Sequence, residues 1–133
     1  MTLQPFADAP ILGLLASTFP LSGTAGFALQ NGTPNILTWT APADGQMHRF
    51  MLISEMNVTS AQTGGEINVS FTEPDGVFRT RLLYTGTLAA GFVQPSGDTP
   101  TLTLVAPGSV TTLFQQSAQT AGAAVLWAEI WGS

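Results

Sequence analysis

Turn-forming residues punctuate this chain at short, fairly even intervals, and that spacing limits the fold more than any other feature. Ser22-Gly23, Asn31-Gly32, Pro42 through Gly45, Gly64-Gly65, Pro74-Asp75-Gly76, Pro95 through Gly97 and Pro107-Gly108 each combine residues suited to left-handed or proline-fixed backbone. Between them lie runs of about five to twelve residues rich in β-branched and aromatic types, the spacing of a sandwich or barrel. Helical periodicity is weak throughout. The predicted strands are NILTWT, HRFMLISEMNV, EINVSFTE, VFRTRLLYTG, TLTLVA, SVTTLFQQ and AAVLWAEIW. The expected fold is all-β, an antiparallel two-sheet sandwich, jelly-roll-like, over residues 26–133, with an N-terminal arm or docking segment over residues 1–25.

Two of these strands are apolar on both faces. In HRFMLISEMNV, Phe50, Leu52, Met56 and Val58 share one face, while Arg49, Met51, Ile53 and Glu55 share the other. In the last strand Val125, Trp127 and Trp131 oppose Leu126, Ala128 and Ile130. An outer face that meets water should alternate more cleanly, so either the N-terminal arm or another subunit is expected to cover it. Charge points the same way. Charged residues are 8% of the chain, against about 25% in ordinary soluble domains. Three basic and eight acidic residues make eleven ions, spread over roughly 6,700 Å² for a folded monomer of this size.

Composition also excludes classes. No window approaches the roughly 20 apolar residues of a membrane-crossing helix. With no lysine and a net charge of −5, the chain lacks the clustered cations a nucleic-acid groove needs. The absence of cysteine rules out disulfides and thiolate metal sites and is silent on compartment. The apolar run APILGLLA is read as part of the mature arm, because Asp8 precedes it, Pro10 interrupts it, and no basic residue lies ahead of it.

The segment FTEPDGVFRTRLLYTG reads as a hairpin with two available registers. A type I turn with Gly76 left-handed pairs Glu73 with Val77 and puts Arg79 and Arg81 on the face of Val69 and Phe71. A four-residue loop pairs Phe71 with Phe78 and puts both arginines on the opposite face. A one-residue slip inverts every side chain, and the four-residue loop is the expectation because it keeps charge out of the core. The arginines then act either as solubilising charges answered by Glu66, or as ligands for carboxylates of a neighbouring copy or partner.

Chemistry finds little support. His48 is the only histidine, flanked by Met47 and Arg49 with no serine elbow nearby, and reads as an ordinary surface or strand-end residue. Asp44, Asp75 and Asp98 sit beside Gly or Pro, where a carboxylate stabilises a turn. No calcium-loop pattern occurs, and the N-x-[ST] matches at Asn31, Asn57 and Asn68 carry no weight without a secretory signal. Trp39, Trp127 and Trp131 could stack a sugar, but strand tryptophans are more often core or interface. No enzyme activity, metal or cofactor is expected.

The element SFTEPDGVFRTRLL, followed by TLTLVAPGSVTTLFQQS and the closing strand AAVLWAEIW, resembles small β-sandwich virion proteins of tailed bacteriophages, the head decoration or cement type. The resemblance covers roughly residues 45 to 131. It implies a homotrimeric or otherwise clustered jelly roll that binds assembled major capsid protein at the capsid surface, bridges shell subunits, and assembles in the host cytoplasm. Self-association and capsid binding are the expected partnerships, with neither nucleic acid nor membrane. Candidate interface residues are Phe6, Ile11, Leu12, Leu14, Leu15, Arg79, Arg81 and Trp131. The alternative is a carbohydrate- or receptor-binding module of a phage fibre or secreted protein. Oligomeric order, partner surface and strand order are not legible at this level.

Overall fold

A computed structural model describes residues 12–18, 26–95 and 101–133. The strands are β1 (Gly13–Ser17), β2 (Phe27–Ala28), β3 (Asn35–Thr40), β4 (His48–Gly64), β5 (Ile67–Thr72), β6 (Phe78–Tyr84), β7 (Thr87–Leu88), β8 (Gly91–Val93), β9 (Thr103–Val105), β10 (Val110–Gln115) and β11 (Gln119–Gly132). No helix among the described residues is long and apolar enough to cross a membrane.

One sheet runs β1-β11-β4-β7, with β2 also on β11 and β8 and β9 also on β4; the other runs β3-β10-β5-β6. The pairs are nested. β2 meets β11, β3 meets β10, β4 meets β7 to β9, and β5 meets β6. The chain is thus one long antiparallel hairpin rolled so that alternate pairs fall in opposite sheets, which is the jelly roll. Its two lateral edges differ: β1, β2 and β3 form one side, and β6 with β7, β8 and β9 the other.

The backbone of the roll is β4 against β11, which stay paired from Gln119↔Gly64 to Gly132↔Phe50. Met56, Val58, Leu126, Ala128 and Ile130 on their inner face pack against Ile67, Val69, Phe71 and Leu113 of the second sheet. Phe50 and Phe71 meet edge-on across the sheets, with ring centroids 5.6 Å apart. Tyr84 is fully buried, and its hydroxyl lies 3.1 Å from Ser54 Oγ on the facing sheet. Burial pushes its pKa up to about 12, so the ring stays neutral.

The hairpin takes the register with Glu73 opposite Val77, not the expected four-residue loop. Gly76 N–H donates to the Glu73 carbonyl and Glu73 N–H to the Val77 carbonyl, both at 2.8 Å. Gly76 has φ of 89°, the left-handed value that glycine adopts freely. Thr72 then faces Phe78, Phe71 faces Arg79 and Val69 faces Arg81, so both arginines project from the inward side. The objection of charge in the core is met by geometry. Residues 78–82 of the edge strand β6 are all exposed, so this half of the strand runs clear of the facing sheet and its guanidinium groups stay wet. Leu82, which the four-residue loop would have turned to the side of Phe71, faces outward opposite Asn68, and a register shift before Ile67↔Tyr84 turns Tyr84 inward.

Candidate functional site

The outer face of the four-stranded sheet carries no ionisable side chain on its strands. β5 alternates Ile67, Val69 and Phe71 inward with Asn68, Ser70 and Thr72 outward, and the registers fix what stands beside them. Thr38, Thr112, Ser70 and Thr80 form a hydroxyl row across all four strands. Phe114, Asn68 and Leu82 form the adjacent row. Phe78 (65% exposed), Val110 (45%) and Leu82 (39%) leave apolar surface open to solvent. Asn68 and Ser70 are buried although they point outward, short side chains between longer neighbours on the flanking strands. The amide of Asn68 donates to Gln116 Oε1 at 3.3 Å. Such a face is poorly suited to water and well suited to a partner.

The outer face of the larger sheet is mixed. Leu14 stands opposite Trp131, and Trp131 opposite Met51, giving an apolar row over β1, β11 and β4. Beyond it lie Glu129 opposite Ile53, then Trp127 opposite Glu55. Of the predicted interface set, Leu14 and Trp131 stand opposite each other here, Leu15 falls at the bulge of β1 with its side chain toward Gly132, Leu12 precedes β1, and Phe6 and Ile11 lie outside the described residues. Residues 13–17 do not lie over the face: they add a strand in the plane of the sheet, and Leu14 remains 52% exposed. Trp131 is partly buried and its indole Nε1 is enclosed with no hydrogen-bond partner among the described residues. Trp39 lies on the other sheet, opposite Thr111, so the three tryptophans form no common platform.

Arg79 and Arg81 belong to a third place, the gap between the hairpin tip and β9. Arg79 Nε donates to Glu73 Oε1 at 3.0 Å, so its partner is Glu73 and not Glu66. The Arg81 guanidinium lies 5.7 Å from the centre of the Phe71 ring. An open groove of about 440 Å³ runs here, between Phe71, Pro74 and Arg81 on one side and Leu102 and Leu104 on the other.

His48, the first residue of β4, is buried and not a surface residue. Its Nε2–H donates to Asp44 Oδ1 at 2.8 Å and its Nδ1–H to the Ser133 main-chain oxygen at 3.0 Å. Both partners only accept, so the geometry fits the doubly protonated ring. The hydrogen bond from His48 holds Asp44 below its ordinary 3.8, and the same bond, with the one to Ser133, raises His48 above 6.5. A raised histidine adds stability that is complete below its unfolded value and lost as pH climbs through its folded one; a depressed aspartate adds stability that is lost as pH falls through its folded value. The clasp should therefore contribute most between about pH 4 and 6.5, the two unfolded reference values. Melting curves of wild type and His48→Gln should differ most in that window and converge above it. A gap that stays constant from pH 5 to 9 would contradict a charged His48. Asp44 and Asp75 also shape their turns, accepting the Gln46 and Val77 amide hydrogens at 3.0 Å each; Asp98 lies outside the described residues. Among the described residues no three His, Asp or Glu side chains cluster as metal ligands would.

No family model matches the sequence, and the curated proteins yield no match. Among solved structures, a chain of the structure of infectious bursal disease virus, Gx strain, is similar with a TM-score of 0.51 at 12% identity. The likeness covers 99% of this chain and 36% of that one, so this protein spans about a third of the viral chain's length. At that identity the likeness establishes a shared fold. The class defined by fold and surface together is a jelly-roll β-sandwich with one uncharged outer sheet face.

The uncharged face was invisible as such in the sequence, although NILTWT, INVSFT and VTTLFQ hold no ionisable residue. Its signal was there strand by strand; only the strand order places them side by side.

Proposed function

We propose that this chain is a structural virion protein, and within that class a head decoration or cement protein of a tailed bacteriophage. It sits as a small homo-oligomer, a trimer in this reading, on the assembled major capsid protein and braces neighbouring shell subunits without catalysis or cofactor. Assembly takes place in the host cytoplasm, and the residues ahead of β1 serve as an arm that reaches a neighbouring copy or the shell.

The observation that carries this reading is the uncharged outer face of the four-stranded sheet. Burying it on a shell desolvates hydroxyl and apolar groups only, so association escapes the cost of stripping water from ions. The fold supports the reading as well, since a solved neighbour belongs to a virus structure.

The test is to place charge on that face. Thr38 and Thr80 are both exposed there, so Thr38→Glu and Thr80→Glu should leave the fold's melting temperature within a few degrees of wild type. Each should weaken co-sedimentation with undecorated shells of its own virus by at least about tenfold, since an unpaired buried charge costs more than 1.4 kcal/mol. Thr59→Glu, exposed on the outer face of the other sheet, should bind as wild type does. Shell binding that survives both face substitutions would reject the assignment.

A further inference from the structure

Arg81 is set apart from Arg79. Arg79 is neutralised by Glu73 within the hairpin, whereas no carboxylate pairs with Arg81 among the described residues. Its guanidinium instead lies over Phe71, in the groove whose far wall is the edge segment Leu102 to Leu104; Leu102 is 46% exposed, and Leu104 stands opposite Arg49 in the register of β9. The other acid at the groove, Asp75, is engaged in its own turn through the Val77 amide. A cation beside an apolar trough fits an extended peptide with an apolar side chain and a carboxylate two residues apart, because alternate residues of an extended segment project to one side about 7 Å apart.

This chain contains such a segment outside its described residues: Phe6-Ala7-Asp8. Asp8 is the only ionisable side chain ahead of Asp44, so an otherwise uncharged arm carries a single acid, and the groove offers a single unanswered base. We infer that the Arg81 groove receives residues 6–8 of a neighbouring copy, with Phe6 against Leu102 and Pro74 and Asp8 on the Arg81 guanidinium. The inference rests on the proposal that the arm reaches a neighbour, and names where it lands.

Topology selects the neighbour over the chain's own groove. Gly13 pairs with Gly132 on β11, so the arm leaves from the β1 side of the roll. The groove opens on the opposite side, between β6 and β9. From β1 to β9 the chain would have to cross three strand spacings, about 14 Å, around the end of the sandwich. A second copy set beside the first brings one β1 side to the next β6 side, a head-to-tail contact that closes into a ring. From Leu12 back to Asp8 is only four residues, at most about 14 Å when fully extended, so the detour around its own sandwich would use the whole reach, whereas an abutting copy need only lie within it.

Because the chain has no cysteine, disulfide trapping is clean. Full-length Asp8→Cys and Arg81→Cys chains, mixed and oxidised, should give a two-chain product at least tenfold more abundant than either variant gives alone. Linkage within one chain of the double variant, at unchanged mass, would overturn the neighbour as donor; no linkage of either kind would overturn the groove as the site. Arg81→Glu should lower the oligomer's mass by light scattering, and adding Asp8→Arg should restore it; a double variant no better than the single would also overturn the pairing. Shell co-sedimentation separates this from the decoration reading. Retained shell binding without cross-links removes only the groove assignment, and cross-linked rings that ignore shells remove only the decoration reading.

Discussion

Replacing Gly122 with alanine is expected to destabilise the protein by about 3 to 5 kcal/mol, or to prevent folding. Gly122 lies in β11 at φ of 85°, where an L side chain is strained whatever the space around it. Here there is no space either. An added Cβ would run into the Ala61 carbonyl oxygen and stand 2.6 Å from Gln62 Cα, and both are backbone of the adjoining strand β4. Neither can rotate away. The pairing of β11 with β4 slips between Gln119 and Ala121, again between Ala121 and Ala123, and again between Ala123 and Ala124, so Gly122 sits amid irregular pairing. Urea unfolding of Gly122→Ala beside Gly32→Ala makes the measurement. An added Cβ at Gly32 meets nothing within 4 Å, and Gly32 does not share the left-handed φ. Gly32→Ala should change stability by less than about 1 kcal/mol. Equal effects at the two sites would mean that the close approach of β4 and β11 is misjudged.

The second large effect is expected at Gln115, a fully buried polar residue at the end of β10. Its carboxamide pairs with Gln30 as a neighbouring strand would, Oε1 accepting the Gln30 N–H at 3.0 Å and Nε2 donating to the Gln30 carbonyl at 2.6 Å. Nε2 also donates to the Ser117 carbonyl at 2.9 Å. One side chain thus ties the segment between β2 and β3 to the end of β10, joining the two sheets at that edge. Gln115→Met keeps the volume and removes all three bonds, and should cost about 2 to 4 kcal/mol. Gln115→Glu should cost more, because an acceptor replaces the donor that faces two carbonyl oxygens, in a site closed to solvent. If Gln115→Met lost under 1 kcal/mol in urea unfolding, the residue would be a space-filler and not a tie.

These two positions differ in how far the sequence foretold them. Gly122 lies just ahead of the predicted strand AAVLWAEIW, inside the actual strand, which begins at Gln119. No local pattern marked it, since its constraint comes from a strand some sixty residues earlier in the chain. Gln115 was placed in the predicted strand SVTTLFQQ, but nothing there distinguished it from Gln116, which is exposed. Alternation alone puts one of the two inside and leaves the choice to register. The short strands β2, β7 and β8, of two or three residues, carry too little pattern to be seen before their partners are known.

At the arginine hairpin the fold departs from the expected register for a physical reason. Glu73-Pro74-Asp75-Gly76 already specified the type I turn that the fold contains, and local turn chemistry was set aside to keep charge from a presumed core. The inward face of a strand is a core face only where a second sheet stands opposite. Along residues 78–82 the larger sheet stands back behind an open groove, and only the tertiary arrangement could say so.

Class and strand content were therefore decided by the sequence: turns spaced closely enough to forbid helices, alternating β-branched runs, and few ions. These are local or compositional properties, and local forces suffice to express them. Which strands share a sheet, which face is bare of charge, and that Arg79 meets a carboxylate while Arg81 meets none among the described residues, came only with tertiary structure. Each of those depends on contacts between segments far apart in the chain, whose pairing is settled by the joint burial of the whole core and not by any stretch alone.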